Sequence, residues 1–312
     1  MFKKQKDINK PIPQNDATAF SGNEMDSAAI MKKVRELEIV SKKITTHLFT
    51  GEYHSAFKGK GMSFREVREY YAGDDVRFID WNVSARFNHP FTKVFEEERE
   101  LTVFLLVDVS ASNLFGTTLR RKKDLMTEIG AVLTFSAINN NDKVGVIFYS
   151  DKIEKYIPPK KGRQHALYIV RQLLTAESKG KSTNMEEAIR FFNKATHQKS
   201  IAFLMSDFTD ARYENDLKVI GGKHDVIGIR IYDKMDMQLP EAGLLQVEDL
   251  ETGTTQWINS SDALVQYNYK QHFMQQSDDC KNYFRKAGAD LLHIRTDEDY
   301  VKVLQQFFIK RS

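Results

Sequence analysis

From position 101 onward, five short apolar runs alternate with segments of helical periodicity, and this alternation restricts the fold more than any other feature. The runs lie at 101–109 (LTVFLLVDV), 144–149, 200–205, 226–231 and 289–294. Helical spacing of apolar residues falls between and after them, at about 119–139, 163–174, 185–196, 213–221, 262–287 and 297–308. Uninterrupted apolar runs of this length belong to strands covered on both faces, and helices between such strands are crossovers. The expected class is therefore α/β, with a mostly parallel sheet and helices on both faces. Two further segments read as hairpins at the edges of that sheet. DKVGVIFYSDKIEKYIPP would turn at Ser150 and Asp151, and QVEDLETGTTQWI at Thr252 and Gly253.

Upstream the texture differs. Residues 1–24 are polar, contain Pro11 and Pro13 and show no apolar period, which describes a flexible leader. Ile30, Val34, Leu37, Val40, Ile44 and Leu48 then recur at helical spacing, with lysines on the opposite side. Such a helix needs a surface to lie on. Residues 51–100 mix aromatics, arginines and aspartates in a small β-rich module. With 312 residues the chain divides into a leader (1–24), the helix and module (25–100) and the α/β part (101–312).

Composition removes several function classes. Lys and Arg number 46 against 43 Asp and Glu, a formal charge of +3, so the chain lacks the one-signed excess of a dedicated nucleic-acid binder. The basic patch at Lys160–Arg163 has no interleaved aromatics. A lone Cys280 excludes an internal disulfide and Cys-based zinc sites, and the eight histidines form no HExxH. No apolar stretch approaches eighteen residues, so no membrane insertion is expected and a cytoplasmic protein is. Gly59 and Gly61 in GKGMSF lack the third glycine and the following GK[ST] of a phosphate loop.

Chemistry concentrates where the first run stops. DVSAS places Asp108, Ser110 and Ser112 at the carboxyl end of a central strand, the edge at which open α/β sheets bind ligands. Thr183 precedes a helix in KGKSTNMEEA, and Asp207 follows another buried run in LMSDFTD. Two carboxylates with three hydroxyls form an all-oxygen set suited to Mg2+ or Mn2+, with Ca2+ also admitted. The ordinary alternative for Asp108, Ser110 and Ser112 is a loop bonding its own backbone, and for Thr183 a helix cap.

These residues resemble the metal-ion-dependent adhesion site (MIDAS) of von Willebrand factor type A domains, whose Rossmann-like order of strands and helices the chain shares. The block GKGMSFREVREYYAGDDVRFIDWNVSAR, followed by KVFEEERELTVFLLVDVSAS, is similar to bacterial domain-of-unknown-function family fifty-eight. The resemblance implies metal ligation by Asp108, Ser110, Ser112, Thr183 and Asp207. It also implies association with a MoxR-type AAA+ ATPase in assembly or activation of other proteins, a partner Asp or Glu completing the metal's coordination, and no catalytic activity. Asn113 stands where many type A domains carry methionine, at a position that is not a ligand.

Within the module, Arg68, Asp74, Asp75, Arg77, Asp80 and Arg86 are expected to form Arg–carboxylate forks rather than a cation site. Trp81 is expected to be a buried anchor with its indole N–H satisfied. The run Glu96–Glu98 reads as a solvated face. A different function class remains. An Asp closing a first parallel strand also begins Mg-dependent phosphoryl-transfer enzymes of the haloacid-dehalogenase type, with Asp108 as nucleophile. That chemistry wants a carboxylate where Ser110 stands and a downstream lysine.

Overall fold

A computed structural model describes residues 27–48, 63–96, 101–116, 120–177, 180, 182–210, 212–248 and 254–311. The leader, the glycines of GKGMSF, Glu97, Glu98 and the expected turn at Thr252 and Gly253 lie outside the described residues.

In chain order the elements are α1 (Ser27–Leu48), β1 (Ser63–Glu69), α2 (Trp81–Phe87), β2 (Phe91–Glu96), β3 (Thr102–Asp108), α3 (Lys122–Asn139), β4 (Lys143–Tyr149), β5 (Ile153–Lys160), α4 (Arg163–Thr175), α5 (Met185–Ala195), β6 (Ile201–Ser206), α6 (Glu214–Gly221), β7 (Asp225–Tyr232), α7 (Lys234–Met237), β8 (Leu244–Glu248), β9 (Thr255–Asn259), α8 (Ala263–Lys286), β10 (Asp290–Arg295) and α9 (Tyr300–Arg311). Six strands form one sheet in the order β10-β7-β6-β3-β4-β5, parallel except for the edge strand β5. Every expected run is a strand of it, with β3 near the middle.

Alternation along the strands builds a core on each side. Val103, Leu105 and Val107 of β3 face α3, α4 and α9 through Ile129, Leu173 and Leu304. Phe104 and Leu106 face the other way, against Phe192 of α5, Leu217 of α6 and Phe284 of α8. At Gly228 of β7 an added Cβ would stand 2.4 Å from the Phe284 ring, so the absence of a side chain admits α8 close to the sheet.

The amphipathic helix finds its surface on α3 and α4. Ile30, Val34 and Leu37 pack against Ala131, Phe135, Ala166 and Val170. Arg163 of the basic patch donates to both oxygens of Glu38, at 2.7 and 3.0 Å. Val40 departs from the expected stripe and is exposed, Ser41 being buried in its place. With the sheet on one side and α1 on the other, α3 is buried all round, a setting its mixed sequence did not announce.

Two expectations fail. The β4–β5 hairpin does edge the main sheet, but β8 and β9 pair only with each other, as a separate two-stranded sheet between α7 and α8. Trp81 is not a buried anchor. It opens α2 at 71% exposure, because Asp80 caps that helix and leaves its first residue on the outside.

Candidate functional site

β3 is paired on both sides, Val107 lying opposite Met205 of β6 and Phe148 of β4. Its last residue, Asp108, therefore emerges at the carboxyl edge with its carboxyl group buried (2% exposed). The backbone then turns tightly. Ser110 N–H donates to Asp108 Oδ1 at 2.9 Å, and Ala111–Leu114 form a 3-10 turn. That turn holds Ser110 Oγ and Ser112 Oγ 3.1 Å apart. Asn113 Nδ2 ties the turn down by donating to Asp108 O and to Ser110 Oγ, both at 3.2 Å. Asn113 is thus a brace for the two ligand candidates.

β6 ends beside β3, and Ser206 Oγ donates to Asp108 Oδ2 at 2.7 Å. Asp207 follows, and Phe208 takes a left-handed backbone (φ 56°), uncommon for an aromatic residue and held by its ring packing on Phe284 and Tyr213. Asp207 Oδ1 accepts from Thr209 Oγ1 at 3.2 Å and Thr209 N–H at 3.4 Å. Its Oδ2 lies 3.4 Å from Lys122 Nζ, which also meets Asp236 Oδ2 of α7 at 2.8 Å.

Thr183 approaches from the loop before α5, which is fastened to the end of β4 by Asn184 N–H donating to Ser150 O at 2.7 Å. Asn184, not Thr183, caps the helix: its Oδ1 accepts from Glu187 N–H at 3.1 Å. Thr183 Oγ1 is left buried without a hydrogen-bond partner. Ser110 likewise makes no side-chain cap bond, although it precedes the 3-10 turn. Thr183 is thus not the helix cap, whereas Asp108 does bond its own loop's backbone through Ser110 N–H, as the ordinary alternative has it.

Electrostatics at this edge is strained by burial. Desolvation, and then the nearby Asp207 charge, push the Asp108 carboxyl up to about 6. Burial would lower the Lys122 ammonium, but the charges of Asp207 and Asp236 outweigh it and the group is raised. Among the described residues no cluster of three or more His, Cys, Asp or Glu could hold a metal. Any ion here would rest on Asp108 and Asp207 together with hydroxyls. The fit is favourable on two counts. Thr183 presents an otherwise unused hydroxyl, and a cation would relieve the repulsion between Asp108 and Asp207.

Sequence reasoning missed five participants, one of them Arg230 of β7, whose Nε donates to Asp207 O at 3.1 Å. Ser206 and Thr209 flank Asp207 in LMSDFTD and could have been read with it. Lys122 is one of four consecutive basic residues, and Asp236 lies in a helix too short for periodicity to reveal.

The remaining candidates make a separate set of local pairs. Arg68 Nη2 meets Asp74 Oδ1 at 2.7 Å, and Arg77 forks Asp75 at 2.6 and 3.0 Å. Asp75 is pulled down to about 2 by that guanidinium. Asp80 accepts from Asn82 and Val83 N–H at the start of α2 and lies 3.3 Å from Lys93, not beside an arginine. Arg86 is exposed. Cys280 is buried, and burial raises its thiol.

An uncharacterised protein of Mycobacterium tuberculosis is 28% identical over 291 residues, covering 92% of each chain. YeaD of Bacillus subtilis, also uncharacterised, is 30% identical over 110 residues, 35% of this chain and 25% of that protein. Among solved structures, the conserved hypothetical protein BatB from Bacteroides thetaiotaomicron is similar at TM-score 0.49 and 13% identity, covering 68% of this chain and 98% of that one. The Rpn10 VWA domain is similar at TM-score 0.38 and 11% identity, covering 68% and 95%. Residues 66–279 match the family described as "Protein of unknown function DUF58", and the chain belongs to that family.

Proposed function

We propose that this chain is a metal-dependent protein-binding module. Asp108, Ser110, Ser112 and Thr183 hold Mg2+, for which Mn2+ or Ca2+ can substitute, and Asp207 acts through water. The observation that carries the reading is Thr183 Oγ1, a hydroxyl buried at the carboxyl edge of the sheet with no partner of its own. A bound divalent ion would supply positive charge that an Asp or Glu of a partner protein can ligate. The protein's own residues do the rest. Ser206 and Ser110 N–H orient Asp108, Asn113 braces the serine pair, and Thr209 fixes Asp207.

The family resemblance supports a MoxR-type AAA+ ATPase as the associated machine, with this chain as its adaptor in assembly or activation of other proteins in the cytoplasm. The module offers a surface for that partner, since Tyr71, Val76, Trp81 and Phe87 are all exposed there. Among the described residues no helix is long and apolar enough to cross a membrane. Affinity capture from lysate with wild type and Asp108→Ala, in Mg2+ and in chelator, tests the reading. A protein held only by wild type in Mg2+ supports it, and identical capture in all four conditions overturns it.

One observation favours a second reading. Lys122 beside Asp207 supplies the lysine that phosphoryl transfer from a substrate to an Asp108 nucleophile wants. Ser110, however, offers no proton-transfer group at neutral pH, and its Oγ is engaged by Ser112 and Asn113. Turnover of a generic phosphomonoester, lost in Asp108→Ala, would establish this alternative.

A further inference from the structure

We infer that the Lys122 ammonium is a built-in counter-cation that competes with the divalent ion for Asp207, holding the site's metal affinity low until a partner carboxylate arrives. The inference rests on the metal reading above and names how that site is regulated.

Lys122 opens α3 with its side chain 4% exposed, a burial that a lysine tolerates only when its charge is matched. Two carboxylates match it, Asp236 at 2.8 Å and Asp207 at 3.4 Å. The nearer one is fixed, because Asp236 Oδ2 also accepts from Asp233 N–H at 2.7 Å. Asp207 is thereby supplied with donors on both oxygens, Lys122 on Oδ2 and Thr209 on Oδ1. Asp108, Asp207, Asp236 and Lys122 together carry a net −2, where the three carboxylates alone would carry −3. At low local dielectric a fixed positive charge beside one ligand weakens attraction for a second cation.

Room for a graded response exists. A cavity of about 160 Å3 adjoins the ammonium, lined by Asp207, Arg230, Asp236, Tyr269, His272 and Phe273, with the Arg230 guanidinium held on Asp207 O through Nε at 3.1 Å. The Lys122 contact with Asp207 is the longer of its two, 3.4 Å against 2.8 Å to Asp236, so Asp207 is the partner that the ammonium gives up first, and Arg230 in the cavity wall limits how far it withdraws. A carboxylate brought by a partner restores the negative charge that Lys122 cancels, so metal and partner each strengthen the other's binding, as linkage requires.

The test is calorimetric titration of Mn2+ and Mg2+ into the full chain as wild type, Lys122→Met and Asp236→Asn, with Asp108→Ala as the control that assigns the heat to this site. Lys122→Met should bind Mn2+ about tenfold or more tightly than wild type, within the range of coupling between neighbouring sites. Asp236→Asn frees the ammonium for Asp207 and should weaken binding. A role for Lys122 in packing alone would loosen the site, so tightening separates the two. Equal or weaker binding by Lys122→Met, with wild type binding normally, overturns the inference and leaves the metal reading intact. Absence of site-specific binding in every variant overturns both. If Lys122→Met does not fold, Lys122→Gln decides: tighter Mn2+ binding supports the inference, and equal or weaker binding overturns it.

Discussion

Aspartates meet cationic side chains in two places, at the carboxyl edge of the main sheet and in the module between β1 and β2, and the same residue types behave differently there. Asp108, Lys122 and Asp207 are each at most 4% exposed, and their partners come from different strands and helices. Asp75 and Arg77 are 35% and 81% exposed by side chain and lie two residues apart. Solvent screens the second pair far more than the first, whose charges act on one another through protein. The contrast shows that a count of opposite charges says little until burial is known. A local fork organises a turn, but an arrangement assembled from three parts of the chain stores electrostatic free energy that a ligand can release.

Breaking the buried arrangement should therefore have the largest effect. Lys122→Ala removes the ammonium that Asp207 and Asp236 share, and truncating one partner of a buried pair typically destabilises by about 3–5 kcal/mol. Chemical denaturation in chelator measures this, and a loss below about 1 kcal/mol would mean that water already screens the site.

Asp108→Asn should act in the opposite direction. With its carboxyl at about 6 when folded and 3.8 when unfolded, the unfolded chain ionises first, so the metal-free fold loses stability as pH rises from about 4 to about 6. An amide removes that charge and keeps an oxygen for Ser110 N–H. The variant should gain about 1–3 kcal/mol at pH 7 in chelator and show no stabilisation by Mg2+. Denaturation curves at pH 4.5 and pH 7 check both points, because the gain should shrink at the lower pH.

How far these features were visible in advance follows from what determines each. The strands were legible to within about two residues, the 226–231 run appearing as Asp225–Tyr232, because burial on both faces leaves an uninterrupted apolar signature. Asp108, Ser110, Ser112 and Asp207 were legible as strand-end residues for the same reason. Lys122 was not, since RRKKD reads as a solvated helix start and only the approach of the β6 loop and α7 closes over it. Trp81 was misread because an aromatic residue among aspartates and arginines suggests an anchor, while its exposure is decided by the cap at Asp80. The separation of β8–β9 from the main sheet was likewise invisible, as a hairpin's own register does not say which sheet, if any, it joins.

The smallest effect on stability, and the sharpest contrast with the edge, is expected in the module. Arg77→Ala removes a fork that is open to water, and Trp81→Ala removes a ring that is 71% exposed, so neither change should move the midpoint of thermal unfolding. A drop of several degrees in either variant would mean that these side chains are covered in solution. Their loss should register in binding instead. A tryptophan exposed in the same module as Phe87 and Val76 is material for a protein contact, in which a buried aromatic ring contributes far more than a rim charge. Trp81→Ala should therefore reduce capture of the proposed ATPase partner equally in Mg2+ and in chelator, while Asp108→Ala should affect only the capture that depends on Mg2+. Two surfaces that can be lost independently would mean that the family's arginine- and aspartate-rich block carries a recognition function of its own, and a single shared loss would mean that the module serves only to support the edge.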